Sequence, residues 1–229
     1  MSEARELVEY ARIRGVKIVP EFDAPAHVGN GWQFAEKNHP EWGKLAVCVN
    51  QEPWQSFCVE PPCGQLNLVN DKMYEVLANI YAEYADTFDS DVFHMGGDEV
   101  NFNCYNSSQE IREFLDRENK VGTHADILDL WRSFQTRAFR LLTEANNGQK
   151  KPAILWTNSM TEEGVESYLT KEDYIIQIWT KGNDSDISDI ISKGYKTIMS
   201  NYDAWYFDCG YAGWVGDGNN WCSPYKGTY

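Results

Sequence analysis

The sequence predicts an α/β fold, most simply a (β/α)8 barrel of the TIM type. Five short runs of β-branched and aromatic residues, each about the length of a buried parallel strand, alternate with segments of helical periodicity. Acidic, histidine or tryptophan side chains follow the ends of these runs, and functional groups at the carboxyl ends of many strands are typical of such barrels. The sequence contains no glycine-rich phosphate fingerprint that would favour an open nucleotide-binding sheet.

The predicted elements follow one another in a regular order. The first fifteen residues form a charged helical pattern, and helical periodicity returns at 73–88, at about 127–146 and at 187–194, where Gly194 predicts a helix end. A closed barrel needs eight strands and only five can be counted, so either three strands lie outside this chain or the fold is not a barrel. The predicted strands are 16–22, 91–97, 152–158, 174–180 and 195–201.

The charge of the chain limits its partners. Twenty basic against 35 acidic residues give a net charge of −15, which repels nucleic acids and anionic lipid surfaces, so a neutral or cationic ligand is expected. No run approaches the roughly 18 apolar residues that a membrane span requires. The long connections 27–68 and 205–221 exceed ordinary loop lengths, which predicts functional loops.

Six cysteines in segments rich in Pro, Gly, Asn and Trp favour disulfides and an oxidising compartment. A zinc site is the alternative, but the chain has no Cys-x-x-Cys pair and only four histidines, so neither a metal nor a cofactor is predicted. Asn106 and Asn183 begin glycosylation sequons. Since the start of the chain does not resemble a signal peptide, it is expected to lack the true N-terminus.

The stretch FHMGGDEVNF, residues 93–102, places two carboxylates directly after two glycines. Neighbouring side chains in a strand point to opposite faces, but Gly96 and Gly97 allow the backbone to leave the strand, so that Asp98 and Glu99 can both project at its end. The alternative is a turn followed by a helix-capping acid. His94 is predicted to be a buried strand residue that makes a hydrogen bond rather than a metal ligand.

Adjacent acids are poorly placed to flank a glycosidic bond in the usual two-carboxylate arrangement. A different division of labour suits them: Glu99 protonates the leaving oxygen, while Asp98 holds a nucleophile that the substrate supplies, such as an N-acetyl group. Two close carboxyl groups also raise the pKa of one of them.

Nine tryptophans provide flat surfaces on which sugar rings can pack. Trp156 and Trp179 are either core residues or part of a site, whereas Trp214 and Trp221 lie in a loop rich in Gly and Asn that offers little core. The polar residues near that loop that could reach sugar hydroxyls are Tyr206, Asp208, Asn219 and Asn220.

These motifs resemble the β-N-acetylhexosaminidases, family twenty of the glycoside hydrolases. The resemblance is carried by PEFDAPAH (20–27), HMGGDE (94–99), LWTN (155–158), IIQIWT (175–180) and the segment 200–224, which is most similar to the insect chitinolytic members. It covers essentially the whole chain. The resemblance implies a barrel enzyme that removes terminal N-acetylglucosamine or N-acetylgalactosamine with retention, through an oxazolinium intermediate.

The resemblance also implies roles for individual residues. Glu99 would be the general acid and base, Asp98 would orient the acetamido group, and His27 would belong to the polar network around the acid. Cys209 and Cys222 would form a disulfide, while the other four cysteines leave three pairings open. The implied substrate-binding residues are Trp156, Trp179 and Tyr206 around the acetamido group, Asp208 at the hydroxyls, Val59, Glu60 and Trp221 in the neighbouring subsite, and Trp214 at its rim.

The chain departs from the family pattern at both ends. It has no counterpart of the arginine after the first barrel strand or of the Trp-x-Glu after the eighth. Residues 1–229 are therefore expected to be part of a catalytic barrel, about strands three to seven, which would be unstable or inactive alone because its edges are unpaired.

Two functions follow. The first is an exo-acting β-N-acetylhexosaminidase acting on chitooligosaccharides or N-glycans, and the second is a truncated, noncatalytic carbohydrate-binding product. A metal-dependent barrel hydrolase is disfavoured by the few histidines. For the complete protein we expect a secreted, extracellular or lysosomal location. Its assembly into a homodimer is an alternative to a monomer that the sequence leaves open.

Overall fold

The computed structural model of the protein describes residues 2–162 and 164–206. Contacts within the chain define two compact units, 1–153 and 154–229, and each is described by itself. The described residues contain helices and parallel strand pairing, which confirms the α/β class. None of the helices in this described part combines the length and the apolar character needed to cross a bilayer.

The first unit contains most of the helices. Short 3₁₀ turns lie at Pro40–Trp42 and Trp54–Ser56. The helices and strands are α1 (Ser2–Arg12), α2 (Phe34–Asn38), β1 (Ala46–Val47), β2 (Gln65–Leu66), α3 (Asp71–Thr87), β3 (Phe93–His94), α4 (Phe102–Ser107), α5 (Gln109–Arg117) and α6 (His124–Ala145).

The core of the first unit lies between α3 and α6, the two long helices that the periodicity predicts. Leu77 and Tyr81 on α3 and Trp131 and Phe134 on α6 are at most 1% exposed. Removing such large apolar surfaces from water is the main stabilising contribution. The start of α6 is fixed by a capping box, in which the Thr123 side chain accepts from the Asp126 N–H and the Asp126 carboxylate accepts from the Thr123 N–H.

The first predicted strand, 16–22, is not a regular strand; its end forms a parallel bridge between Glu21 and His94 of β3. Two backbone bonds hold this bridge, His94 N–H to Pro20 O (3.0 Å) and Phe22 N–H to His94 O (3.0 Å). The segment therefore runs beside β3 and delivers the residues that follow it, from 23 onward, to the end of β3.

The long connection after residue 27 is folded rather than extended. It contains α2 and the antiparallel pair β1 and β2, in which Ala46 faces Leu66. Disulfides join Cys48 to Cys104 and Cys58 to Cys63, which confirms the predicted disulfides and settles the pairing that the sequence leaves open. The expected bond between Cys209 and Cys222 lies outside the described residues.

The second unit contains three of the predicted strands, in the order β4, β5, β6. β5 and β6 pair in parallel, with Ile176 beside Thr197 and Ile178 beside Met199. Gly194 adopts a φ of +84° just after α8, as its predicted role as a helix end requires. The elements are β4 (Ala153–Trp156), α7 (Ser159–Glu162), a 3₁₀ turn (Val165–Ser167), β5 (Tyr174–Ile178), α8 (Ser185–Ser192), β6 (Lys196–Met199) and α9 (Tyr202–Trp205).

The close approach between residues 23 and 96 is the tightest backbone contact near β3. Gly96 has a φ of +64°, and a Cβ placed on it would lie 1.9 Å from Asp23 Oδ1 and 2.5 Å from Asp23 Cα. A side chain at position 96 is thus excluded by the carboxyl group of Asp23 and by its backbone Cα, which cannot rotate away.

We expect Gly96→Ala to lower the free energy of unfolding by about 3 kcal/mol or more, because the left-handed φ and the overlap with Asp23 add together. Gly148→Ala is the matched control: its φ is +78°, but no atom lies within 4 Å of the added Cβ. The control should lose only the conformational contribution, about 1 to 2 kcal/mol. Urea unfolding of both variants measures the difference, and equal losses would contradict the contact.

Candidate active site

The acidic pair lies where the chain turns away from β3. Gly96 and Gly97 have φ angles of +64° and +90°, and Glu99 itself has +53°. Because the extended conformation ends at the glycines, Asp98 and Glu99 no longer alternate across a sheet. The helix-capping alternative is wrong: α4 begins at Phe102, and its cap is Asn101, whose side chain accepts from the Cys104 N–H at 2.9 Å.

His94 precedes the pair and is a structural residue. It is 6% exposed, and its Nδ1 accepts a hydrogen bond from the Gly96 N–H at 3.0 Å. Glu21 Oε1 lies 3.4 Å from the same nitrogen. The prediction that His94 is a buried, hydrogen-bonded strand residue is confirmed.

His27 lies beside both acids. Its Nε2 is 3.3 Å from Glu99 Oε2 and 3.7 Å from Asp98 Oδ2, and the three side chains are 24%, 21% and 21% exposed. The pKa of His27 is raised to about 9, first by the hydrogen bond to Glu99 and then by the negative charges of Asp23, Asp98 and Glu99, against the effect of burial. Near neutral pH the imidazole therefore carries a positive charge.

Asp23 joins this cluster from the end of the segment that runs beside β3. Its Oδ1 accepts the Gly97 N–H at 2.9 Å, and ligand atoms of Asp23, His27 and Asp98 lie within 4.8 Å of one another. Burial raises the pKa of Asp23 to about 8, the charge of Asp98 adds to the rise, and the Gly97 N–H and His27 oppose it. The sequence pointed to Asp23 only as an acid after a strand, without a role.

Asp98 is also in an environment that disfavours its charge. Burial raises its pKa, while the positive charge of His27 acts in the opposite direction. Its Oδ1 is buried and has no hydrogen-bond partner among the described residues. A buried carboxylate oxygen without a donor is costly, so this atom is suited to a ligand that brings an N–H or O–H.

Glu60 approaches the pair from the loop after the second 3₁₀ turn. Burial raises its pKa, and the negative charge of Glu99 adds to this effect. Ligand atoms of His27, Glu60 and Glu99 lie within 4.8 Å of one another. The neighbouring Val59 is 50% exposed.

Two groups of side chains are close enough to surround a cation: Asp23, His27 and Asp98, and His27, Glu60 and Glu99. Both share His27, and an imidazole binds a metal only when it is neutral. The pKa of about 9 means that a proton occupies His27 in the working range of most enzymes. The donor chemistry thus favours proton sharing over metal coordination.

Three predicted aromatic residues lie in the second unit. Trp156 ends β4, Trp179 follows β5, and Tyr206 follows α9; all three are half-buried. The indole Nε1 of Trp179 donates to the Thr157 carbonyl oxygen at 2.9 Å, which fixes the ring. Because both indoles retain exposed surface, neither is a fully buried core residue, the alternative that the sequence allowed. Asp208, Trp214 and Trp221 lie outside the described residues.

The cluster in the first unit can hold and move protons. It brings together one positively charged imidazole and four carboxyl groups, those of Asp23, Glu60, Asp98 and Glu99. Neighbouring groups with different pKa values are the usual basis of general acid and base catalysis.

Comparison with known proteins identifies close relatives. The glycosyl hydrolase family 20 catalytic domain matches residues 1–229. A chitooligosaccharidolytic β-N-acetylglucosaminidase of Bombyx mori is 52% identical over 227 residues, and the protein of the same name from Ostrinia furnacalis is 51% identical over 225 residues. These alignments cover 98% and 97% of this chain, but only 37% and 36% of the relatives.

A solved structure gives the same family. The chitobiase of Flavobacterium johnsoniae matches 89% of this chain and 28% of its own chain, with a TM-score of 0.61 and 26% sequence identity. The chain spans little more than a third of the length of the Bombyx mori and Ostrinia furnacalis relatives.

We expect Glu99→Gln to lower the pKa of His27, because the carboxamide removes the charge and weakens the hydrogen bond that stabilises the imidazolium. NMR titration of the imidazole nitrogens measures this change. Glu41→Gln is the matched control, since Glu41 Oε1 lies 3.5 Å from Nδ1 of a different histidine, His39. A His27 titration that both variants leave unchanged would show that Glu99 does not hold its proton.

Proposed function

Because the chain belongs to glycosyl hydrolase family 20, we propose that it carries the acid pair of a retaining exo-β-N-acetylhexosaminidase that works by substrate-assisted catalysis. One observation carries the proposal: the adjacent acids Asp98 and Glu99 both lie beside His27, whose Nε2 is 3.3 Å from Glu99 Oε2 and 3.7 Å from Asp98 Oδ2. The substrate class is a terminal N-acetylhexosamine. The activity, substrates and partners of the complete protein are all part of this proposal.

In the first step Glu99 delivers a proton to the glycosidic oxygen. The proton held between His27 Nε2 and Glu99 Oε2 moves to the leaving group as the bond to the anomeric carbon breaks. The acetamido oxygen of the same sugar attacks that carbon, which gives a cyclic oxazolinium ion with a positive charge. Glu99 is left as a carboxylate beside His27.

Asp98 holds the nucleophile during this step. Its buried Oδ1, which has no partner among the described residues, is suited to accept the acetamido N–H. The negative charge of Asp98 stabilises the positive charge that develops on the acetamido group, and this electrostatic contribution is realised only in the transition state.

In the second step the reaction runs in reverse with water. Glu99, now a carboxylate, removes a proton from a water molecule that attacks the anomeric carbon, and the oxazolinium ring opens to the N-acetyl sugar. Two inversions give net retention, and one residue acts first as acid and then as base.

The proposed binding residues follow the resemblance. Trp156, Trp179 and Tyr206 would contact the acetamido group, and Asp208 the sugar hydroxyls. Val59 and Glu60 would contact the next sugar with Trp221, and Trp214 would form the rim of that subsite. Chitooligosaccharides are our proposed substrate, since two relatives above 50% identity are named for this activity; N-glycan branches are the alternative.

The remaining parts of the proposal concern the complete protein. We propose that the strands of this chain belong to a (β/α)8 barrel and that the protein works in a secreted or lysosomal compartment, which fits its two disulfides. A homodimer is a further possibility of the complete protein.

Glu99→Gln should lower the kcat for a 4-nitrophenyl N-acetylglucosaminide by about 10²-fold to 10⁴-fold, because no proton can be delivered to the leaving oxygen. Glu41→Gln, a change at an exposed acid near His39, should leave kcat unchanged. Release of nitrophenol by the purified protein is measured. If the wild-type chain binds chitooligosaccharides but shows no release that depends on Glu99, the noncatalytic carbohydrate-binding alternative holds.

Substrate assistance predicts a second result. A 4-nitrophenyl glucoside, in which a hydroxyl replaces the acetamido group, should be hydrolysed at least about 10²-fold more slowly, because the nucleophile is absent. Asp98→Asn should reduce activity on the N-acetyl substrate, since an uncharged side chain cannot balance the oxazolinium charge. Equal rates on both substrates would exclude this mechanism.

A further inference from the structure

The backbone segments that follow β5 and β6 remain paired after the strands end. The Ser200 N–H donates to the Ile178 carbonyl oxygen at 2.9 Å, and the Tyr202 N–H donates to the Trp179 carbonyl oxygen at 3.0 Å. These bonds continue the parallel pairing beyond the last residue of β6, Met199. The two segments therefore start side by side.

Two side chains extend this contact into the loop after β5, residues 179–184. Asn201 Nδ2 donates to the Thr180 carbonyl oxygen at 2.9 Å. The Asp203 carboxylate accepts the Gly182 N–H, with the nitrogen 3.1 Å from Oδ1 and 3.2 Å from Oδ2. These side-chain hydrogen bonds together form the loop clamp. Because a hydrogen bond to an ionised carboxylate is stronger than one between neutral groups, Asp203 is its main member.

Support of α9 does not account for these two side chains. Asn201 is the N-cap residue of α9, yet its side chain makes no capping hydrogen bond, and the residue is only 6% exposed. Asp203 lies in the first turn of α9, but a helix of four residues has little stability of its own for a charge to support. The contact with the loop after β5 is what the two residues have in common.

The loop clamp joins two chain segments that carry aromatic residues of the candidate site. Trp179 precedes Gly182 by three residues, and Tyr206 follows Asp203 by three residues. The Trp179 ring is itself held by the hydrogen bond from its Nε1 to the Thr157 carbonyl oxygen at 2.9 Å. The clamp therefore limits how far the backbone that carries Tyr206 can move relative to the backbone that carries Trp179.

We propose that Asp203 is a positioning residue that fixes the spacing of Trp179 and Tyr206 and thereby selects the N-acyl group of the sugar by its size. This inference rests on the proposed function, which assigns these two aromatic residues to the acetamido group. A pocket with fixed walls distinguishes substrates that differ by one methylene by about 10-fold to 200-fold, whereas walls that can move apart accept the larger group. Without the clamp, the pocket should tolerate longer N-acyl chains.

Substrate preference tests the role of Asp203. The kcat/KM of the purified protein is compared for the 4-nitrophenyl glycosides of N-acetylglucosamine and N-propionylglucosamine, and the wild type should prefer the N-acetyl substrate by about tenfold or more. Asp203→Ala should reduce this ratio by about threefold or more, because the walls are free to separate. Asp203→Asn should restore most of it, since a carboxamide oxygen can still accept the Gly182 N–H.

Asp186→Ala is the matched control, since Asp186 lies in the first turn of α8 as Asp203 lies in the first turn of α9. Both changes remove an acid near a helix N-terminus, but only Asp203→Ala removes the contact with Gly182. The control should keep the wild-type ratio. An equal fall of the ratio in both variants, or an Asp203→Ala protein that keeps the wild-type ratio, would overturn the proposal.

The clamp itself can be tested without turnover. In protein labelled with ¹⁵N-glycine, the Gly182 amide should exchange with solvent at least about threefold faster in Asp203→Ala than in the wild type, because its acceptor is lost. Circular dichroism checks that the variant is folded. Unchanged exchange at Gly182 would show that Asp203 does not hold the loop.

Binding of the free sugars provides a second measurement that needs no turnover. The indole signal of Trp179, identified by its loss in Trp179→Phe, should shift when N-acetylglucosamine is added to protein labelled with ¹⁵N-tryptophan. The Kd for N-propionylglucosamine should be about tenfold higher in the wild type, and this ratio should fall in Asp203→Ala.

The outcomes separate the two proposals. If the wild type shows no nitrophenol release that depends on Glu99, the proposed function fails, and the ratio of the two Kd values then decides the role of Asp203. A Kd ratio that Asp203→Ala leaves unchanged, or a Trp179 signal that neither sugar shifts, would overturn the positioning role.

Discussion

The contact between Asp23 and the glycine pair is the constraint on which the candidate site depends. Gly96 must lack a side chain because Asp23 occupies its space, and the Gly97 N–H must point at Asp23 Oδ1. Once these two positions are fixed, the next two residues can only project away from β3. The segment that carries Asp23 also ends in His27, so the same contact brings the imidazole to the acids.

Charge balance explains why so many acids can share one half-buried site. Each carboxylate that loses water needs a donor or a positive neighbour. His27 provides one positive charge, shared between Glu99 and Asp98, and the Gly97 N–H provides a donor for Asp23. These partners do not suffice for four charges, and burial accordingly raises the pKa of Asp23, Asp98 and Glu60.

Sequence patterns predicted the parts of this structure that depend on local physics. The long helices α3 and α6 and the strands β4 and β5 follow from hydrophobic periodicity, and the turn at Gly96 follows from the need for positive φ. The features that depend on contacts between residues far apart in the chain were missed or left open. The pairing of Cys48 with Cys104 spans 56 residues, and the role of Asp23 needs a partner 74 residues away. Nothing in the local sequence encodes such distances.

Two adjacent acids acquire different chemistry here because the backbone gives them different neighbours. Glu99 lies close to His27 and Glu60, whereas Asp98 lies close to His27 and Asp23. The reaction that we propose makes two opposite demands on carboxyl groups, proton delivery and charge stabilisation, and the turn after β3 presents one acid for each. In that proposal the pair can be sequential because the sugar supplies its own nucleophile.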